Sequence, residues 1–193
     1  MTDIGTLYQF AFRGQLAEEA LDAAGRRRYA HAEGSEAEMA EVLSLGLLDQ
    51  ELAAAARYMA TVYTAIAAFE NSVRILVSST MLEGKGENWW SECASERLKK
   101  KTEGRQEEDE RHKFHSQRGN SPINYTDLSD LLNIINANWE LFEPFLPSPE
   151  WTRNIFDTIE RSRNVIMHSG SLGREDVARV GIHIRDWVSQ VGA

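Results

Sequence analysis

Apolar residues recur at helical spacing in several segments of this chain. Ile155, Ile159 and Ile166 follow one such stripe, and Ser162 completes it. The same period predicts a long helix over Asp49–Met81 that is apolar over much of its circumference, so we expect it to be largely buried. No segment alternates as a strand does, and no internal repeat is present. The pattern therefore predicts an all-α helical bundle.

Capping and proline residues mark the ends of the remaining predicted helices. Ser148 followed by Pro149 predicts a helix start, and a final helix is predicted over Arg174–Val191. Thr126 is a suitable cap for a helix whose apolar residues continue to Leu141. A shorter helix is predicted from Trp89 to near Lys101. Residues 102–120 are almost devoid of apolar side chains, which indicates a mobile surface loop or a solvated helical extension.

Residues 1–48 form an Ala- and Glu-rich extension that precedes the bundle predicted over residues 49–193. This extension predicts two helices separated at Gly34. Ser35 followed by Glu38 is a capping-box signature for the second of them. The first predicted helix carries Leu7, Phe10 and Leu16, and the second carries Met39, Val42, Leu43 and Leu47.

Composition narrows the class of protein. The net charge of −9 argues against a general nucleic-acid coat protein, although a local basic site such as Lys99, Lys100 and Lys101 is compatible with it. The single cysteine, Cys93, excludes an internal disulfide and a multi-cysteine zinc site. No apolar run reaches the length of a membrane span, and residues 1–4 lack the form of a secretory signal. We expect a cytoplasmic protein without a membrane partner.

The end of the helix with the isoleucine stripe carries a concentration of polar side chains. At roughly 100° per residue, Arg161, Asn164 and His168 fall opposite the apolar stripe. Arg163 lies on the flank, where its long side chain could reach toward His168. We expect the helix to stop at Gly170.

These residue types suit phosphate chemistry. Histidine titrates near neutral pH and can act as a base or an acid, whereas arginine stays charged and offers paired donors to phosphate oxygens. Asn164 lies one turn before His168 and can orient its imidazole or hold phosphate. The sequence indicates no convincing set of metal ligands, and we expect no metal and no cofactor.

The segment Arg163-Asn164-x-x-x-His168 resembles the signature of the HEPN superfamily. That signature is an arginine, a polar residue directly after it, and a histidine further along, near the end of a helix. The bare pattern also occurs at Arg26…His31 and Arg105…His112, but neither copy has the asparagine or follows an amphipathic helix. Only the copy at 163–168 has the full context.

Two further segments are similar to parts of HEPN domains. Glu70 and Arg74 lie one turn apart on the long predicted helix, similar to the acidic-then-arginine turn of the first HEPN core helix. Residues 124–142 resemble the middle of the HEPN branch found attached to RNA-surveillance endonucleases. The resemblance covers about residues 50–191.

The resemblance implies an all-helical, metal-independent endoribonuclease of a toxin or phage-defence system. HEPN members commonly dimerise so that two Arg/His motifs face one cleft, which implies a homodimer that binds RNA and has an antitoxin or defence-system partner. The implied catalytic residues are Arg163, Asn164 and His168. The alternative is a non-catalytic HEPN module that binds RNA, a nucleotide or a partner protein. Secondary binding candidates are Arg161, Glu70, Arg74, Lys99, Lys100 and Lys101.

Each candidate also has a purely structural interpretation. His168 is compatible with a surface histidine that the helix dipole favours at a C-terminus. Glu70 and Arg74 can form an ordinary ion pair. His112 and His115 follow an aspartate at metal-ligand spacing, but histidines in a charged segment are usually just solvated. The five tryptophans are interpreted as packing residues rather than base-stacking platforms.

Overall fold

The computed structural model describes residues 35–192, which contain eight α-helices, two short 3₁₀ turns and no strand in that range. This confirms the predicted all-α class. The chain divides into two units, residues 1–50 and 51–193. The helices are α1 Glu36–Val42, α2 Gln50–Lys85, α3 Trp89–Cys93, α4 Glu96–Arg111, α5 Leu128–Ala137, α6 Trp139–Phe142, α7 Pro149–Met167 and α8 Arg174–Val191, and the 3₁₀ turns are Leu45–Leu47 and Pro122–Tyr125.

The described part of the first unit begins with a capped helix. The Ser35 hydroxyl accepts a hydrogen bond from the Glu38 backbone N–H at 3.2 Å, and the Glu38 carboxylate accepts one from the Ser35 N–H at 2.6 Å. The capping box predicted before α1 is therefore confirmed. The predicted helix of Leu7, Phe10 and Leu16 and the Arg26…His31 pattern lie outside the described residues, and the predicted domain limits remain a prediction.

The core of the second unit is built on one stripe of α2. Its buried residues recur every three or four positions, so they lie on one face of the helix. This face packs against buried side chains of α5, α7 and α8. Each large apolar side chain buried in this way contributes roughly 1.5–3 kcal/mol of transfer free energy. The apolar residues of the α2 stripe are Met59, Val62, Ile66, Phe69, Val73, Val77 and Met81.

Aromatic rings join α2, α7 and α8 at the centre of the bundle. The Phe69 ring meets the Phe156 ring edge-on at 5.9 Å and the Trp187 ring at 5.5 Å. Trp187 also stacks on Trp151 with centroids 6.1 Å apart. The interpretation of Trp187 as a packing residue is confirmed, since its side chain is buried.

The expectation of a largely buried α2 is wrong for much of the helix. Tyr58, Tyr63, Ile75 and Leu82 are all more than 40% exposed. Among the described helices, α2 alone has the length and mean hydropathy of a membrane-crossing segment, so the expectation that no apolar run is long enough is wrong for this helix; 22% of its apolar 18-residue stretch is buried. A helix in the core of a soluble protein can be equally long and apolar, so a single helix of this kind is weak evidence for a membrane segment. The helix also continues past the predicted end at Met81, to Lys85.

The predicted helix from Trp89 to Lys101 is two helices, which corrects that prediction. Ala94 takes an extended conformation, and Ser95 then caps α4 by accepting a hydrogen bond from the Leu98 N–H. The helix α4 continues to Arg111, so the first half of the charged segment 102–120 is a helical extension. The surface loop of this segment begins after Arg111, where α4 ends.

The predicted helix over residues 126–141 differs in its start and its continuity. Asp127 rather than Thr126 caps α5, with Asp130 completing a capping box. The backbone breaks at Asn138, whose side-chain amide donates to the Ile134 carbonyl at 2.9 Å. An asparagine that bonds its own helix backbone in this way competes with helix continuation, which explains the separation of α5 from α6.

Candidate functional site

A polar cleft of about 660 Å³ opens between α2, α4, the second 3₁₀ turn and α7. Four arginines line it: Arg74, Arg105, Arg118 and Arg163. Three acidic residues face them: Glu70, Asp127 and Glu160. Asn164 lies on the same wall as Arg163, so two of the three predicted catalytic residues line one cleft.

Glu70 joins the two arginines that the sequence singled out. Its carboxylate lies 3.0 Å from Arg163 Nε and 3.4 Å from Arg74 Nη2. Arg74 also donates to the Thr126 carbonyl at 3.1 Å. Glu70 is buried, and a buried carboxylate needs such partners because water cannot solvate it. The Glu70–Arg74 pair thus positions Arg163 across the interface between α2 and α7.

Asp127 organises the opposite wall of the cleft. Its carboxylate takes two hydrogen bonds from Arg105, at 3.2 and 2.9 Å, and lies 3.0 Å from Lys101 Nζ. Arg105 also donates to the Tyr125 carbonyl at 2.6 Å. Burial acts to raise the pKa of Asp127, but the hydrogen bonds from Arg105 and Lys101 outweigh burial and lower this pKa below its ordinary value.

Glu160 is the third carboxyl of the cleft and is held differently. The pKa of Glu160 is raised, and burial is the largest cause. The negative charges of Asp127 and Asp157 raise this pKa further, whereas the positive charge of Arg163 lowers it. Within residues 35–192 its carboxyl has no hydrogen bond or ion-pair partner. The cleft therefore contains one carboxyl that takes up a proton more readily than an ordinary glutamate.

His168 lies outside the cleft, at the end of α7. It is the exposed C-cap of the helix, with φ −97° and ψ 24°, a sparsely populated region in which many active-site residues occur. Ser169 then takes a left-handed conformation, and the Gly170 N–H donates to the Val165 carbonyl at 2.8 Å. This Schellman motif ends the helix at Met167, not at Gly170 as predicted.

The predicted approach of Arg163 to His168 is not present in the structure. The Arg163 side chain instead reaches across to Glu70, because a buried carboxylate attracts it there. Within the described residues, no hydrogen bond or ion pair joins His168 to Arg163 or Asn164 through their side chains. Arg161 is exposed and is not among the residues lining the cleft.

The basic run at residues 99–101 does not form one surface. Lys99 pairs with Glu96 at 2.9 Å and donates to the Ser91 carbonyl, whereas Lys101 binds Asp130 and Asp127. Lys100 is exposed. The three side chains thus have different environments. For the part of the chain that the structure describes, no group of three or more His, Cys, Asp or Glu side chains is arranged to hold a metal ion.

Sequence reasoning missed several cleft residues, because they come from segments that were interpreted as solvated or structural. Arg105 and Arg118 belong to the charged segment 102–120, and Asp127 was overlooked beside Thr126. The signal that could have revealed Arg105 is its spacing of one helical turn from Lys101, since two cations on one face of α4 call for a carboxylate opposite them.

Comparison with known families identifies the superfamily that the motif resembles. A model of the Swt1-like HEPN family matches residues 64–192, well over half of the chain. The chain belongs to this HEPN family. The match runs from within α2 through α8, so it includes Arg163, Asn164 and His168. No curated protein and no solved structure matches the chain significantly.

Proposed function

We propose that this HEPN protein is a metal-independent endoribonuclease. The observation that carries the proposal is the cleft that gathers Arg163, Asn164 and three further arginines, while His168 is exposed as the C-cap of the same helix. Guanidinium groups that converge in a partly enclosed cleft bind phosphate and stabilise the charge that develops on it in a transition state.

The proposed reaction is attack of a ribose 2′-hydroxyl on the adjacent phosphorus. A base takes the proton of the 2′-hydroxyl, the bond from phosphorus to the 5′-oxygen breaks, and an acid returns a proton to that oxygen. The products are a 2′,3′-cyclic phosphate and a 5′-hydroxyl. Arg163 and Asn164 hold the phosphate, and His168 transfers protons.

A second copy of the chain would complete the site, since His168 does not line the cleft of its own subunit. An apolar groove of about 760 Å³ adjoins the cleft, and Tyr63 lines both. Met59 of α2 lines the groove together with Ile166 and Met167, which lie within the motif on α7. A homodimer that buries this surface around a two-fold axis would place both motifs in one shared groove, where one His168 can act as the base and the other as the acid.

Cleavage of labelled RNA in EDTA tests the proposal. Wild-type protein is expected to cleave and to leave cyclic phosphate ends, and His168→Ala is expected to slow cleavage roughly 10²- to 10⁴-fold through loss of a proton-transfer group. Arg163→Ala should have a comparable effect. Arg153→Ala is the matched control, because Arg153 is exposed on the same helix and does not line the cleft. Cleavage that stops in EDTA and returns with a divalent ion would contradict the proposal.

The proposed cellular role is that of a cytoplasmic toxin or phage-defence effector, held in check by an antitoxin or a defence-system partner. Such an enzyme damages RNA in the cell that makes it. Expression of the wild-type chain should therefore slow growth, and His168→Ala or Arg163→Ala should relieve the effect at equal protein levels. Equal growth inhibition by wild type and both variants would argue against a toxic ribonuclease.

A non-catalytic HEPN module is the second candidate, and one observation favours it. Glu70 and Asp127 already form ion pairs with Arg163, Arg74 and Arg105 in the cleft, and the chain carries a net charge of −9. Such a module would bind RNA, a nucleotide or a partner protein through the same cleft. Retained RNA binding without cleavage of any RNA in the EDTA assay would favour this candidate.

A further inference from the structure

The loop that follows α4 combines basic and aromatic side chains beside the cleft. We name residues 111–118 the basic loop; their sequence is Arg-His-Lys-Phe-His-Ser-Gln-Arg. Three of the eight residues are permanently cationic, two are histidines and none is acidic, in a chain with a net charge of −9. The basic loop is thus a local exception to the overall charge.

Phe114 projects from the tip of the basic loop. Its side chain is fully exposed, more so than any other large hydrophobic side chain of residues 35–192. Single exposed apolar residues are common and need no explanation by themselves. Phe114 differs because His112, Lys113 and His115 surround it in sequence and are exposed as well. An aromatic face among cations is the combination that stacks on a base while the neighbouring side chains contact phosphates.

The base of the basic loop is fixed at the cleft. The Arg118 backbone N–H donates to Asp109 at 3.0 Å, and the Arg118 guanidinium lies 5.8 Å from the centroid of the Tyr125 ring. Tyr125 also donates from its hydroxyl to the Gly119 carbonyl at 3.1 Å. Because Arg118 itself lines the cleft, and Phe114 is four residues away, the tip lies within roughly 14 Å along the chain.

We propose that the basic loop binds the single-stranded flank of an RNA whose phosphate occupies the Arg163 cleft, with Phe114 stacking on an unpaired base. The ligand is single-stranded, because a ring can stack on a base only where that base is unpaired. The acidic run at residues 107–110 on α4 repels a strand that follows the helix, so the path over the loop and into the cleft is the favourable one. The inference rests on the proposed function only in taking RNA as the ligand.

The test is RNA binding without cleavage. Full-length His168→Ala protein is titrated, by fluorescence anisotropy, into a labelled RNA of about 12 nucleotides, single-stranded or annealed to its complement. Adding Phe114→Ala should weaken single-strand binding roughly 5- to 150-fold, the effect of losing one stacked base, and leave duplex binding nearly unchanged. Phe114→Trp should retain the affinity. Lys113→Ala should lower the salt dependence of binding by about one unit of slope.

Two control variants match these changes. Val188→Ala removes another exposed apolar side chain and Arg185→Ala another exposed cation, both on α8. Single-strand affinity of Phe114→Ala equal to that of the Val188→Ala control would overturn the inference, and so would an equal loss for the duplex. If wild type cleaves RNA while Phe114→Ala binds normally, only this inference fails. If binding depends on Phe114 but wild type does not cleave, only the proposed catalysis fails.

Discussion

Ser169 occupies a conformation that its side chain disfavours, directly after His168. Its φ of 60° makes it one of two non-glycine residues with positive φ in the described range. An L-residue in this region costs roughly 1–2 kcal/mol relative to a helical one, whereas glycine does not. Strained backbone of this kind clusters at functional positions, and here it fixes where the helix ends and the direction in which His168 is displayed.

Replacing Ser169 with glycine should therefore stabilise the fold. We expect Ser169→Gly to raise the free energy of unfolding by about 1 kcal/mol, measured by urea denaturation. Gly170→Ala is the opposing variant, because a Cβ at Gly170 would lie 2.8 Å from the Val165 carbonyl oxygen and must lower stability. A Ser169→Gly protein no more stable than wild type would show that the left-handed turn is not strained.

Glu160 contributes to the free energy of unfolding in a pH-dependent way. Its folded pKa is raised, so the stability it contributes is present below the ordinary glutamate pKa of about 4.3 and is lost as pH rises through the folded pKa. Glu160→Gln should therefore be more stable than wild type at neutral pH, and the difference should shrink in acid. Urea denaturation at both pH values measures it, with exposed Glu143→Gln as the control. If Glu160→Gln were more stable than wild type by the same amount in acid, the charge of the Glu160 carboxylate could not be the cause.

At the scale of elements, Asp127 holds α4 against the start of α5. Its carboxylate pairs with Arg105 and Lys101 of α4 while it caps α5. Its folded pKa is lowered, so its stabilisation is present above the ordinary aspartate pKa of about 3.9 and is lost as pH falls through the folded pKa.

Asp127→Asn should lower the free energy of unfolding by roughly 1–2 kcal/mol at neutral pH, since asparagine can cap the helix but cannot pair with two cations. The difference from wild type should diminish in acid, as measured by urea denaturation across pH. Asp186→Asn, exposed on α8, provides the comparison. Equal stability of Asp127→Asn and Asp186→Asn would show that the ion pairs of Asp127 do not stabilise the contact between α4 and α5.

The helices differ in how far their sequence determined them. Ser148 and Pro149 predicted the start of α7, and α8 has the predicted bounds, because capping and periodicity are local signals. The breaks at Ala94 and Asn138 were missed, since they depend on competing backbone hydrogen bonds and on packing.

The site was predictable only in part, for a related reason. The motif on α7 is local, so Arg163, Asn164 and His168 could be found from spacing. The partners of Arg163 could not, because Glu70 lies on another helix more than ninety residues earlier in the chain. The contribution of Arg105 is equally non-local and depends on the docking of α4 beside Asp127. An ion pair between residues that are far apart in the chain produces no periodic pattern in a single sequence.

At the scale of the whole molecule, the proposed catalysis requires two copies of the chain. One subunit presents Arg163 within a cleft and His168 beyond it, and the apolar groove next to them is the surface that we propose for self-association. In a two-fold dimer, both copies of Arg163 and of His168 meet in one cleft, so that one histidine can serve as the base and the other as the acid. The central claim is therefore that the catalytic site is shared between subunits.

Cleavage by a mixed dimer tests that claim most directly. Wild-type and His168→Ala chains, each with a different affinity tag, are co-expressed, and the heterodimer is isolated through both tags and assayed on RNA in EDTA. Because the shared cleft needs one histidine as base and the other as acid, the heterodimer should be nearly as inactive as the His168→Ala homodimer. A heterodimer that cleaves at about half the wild-type rate, as two independent sites would, would contradict the shared site.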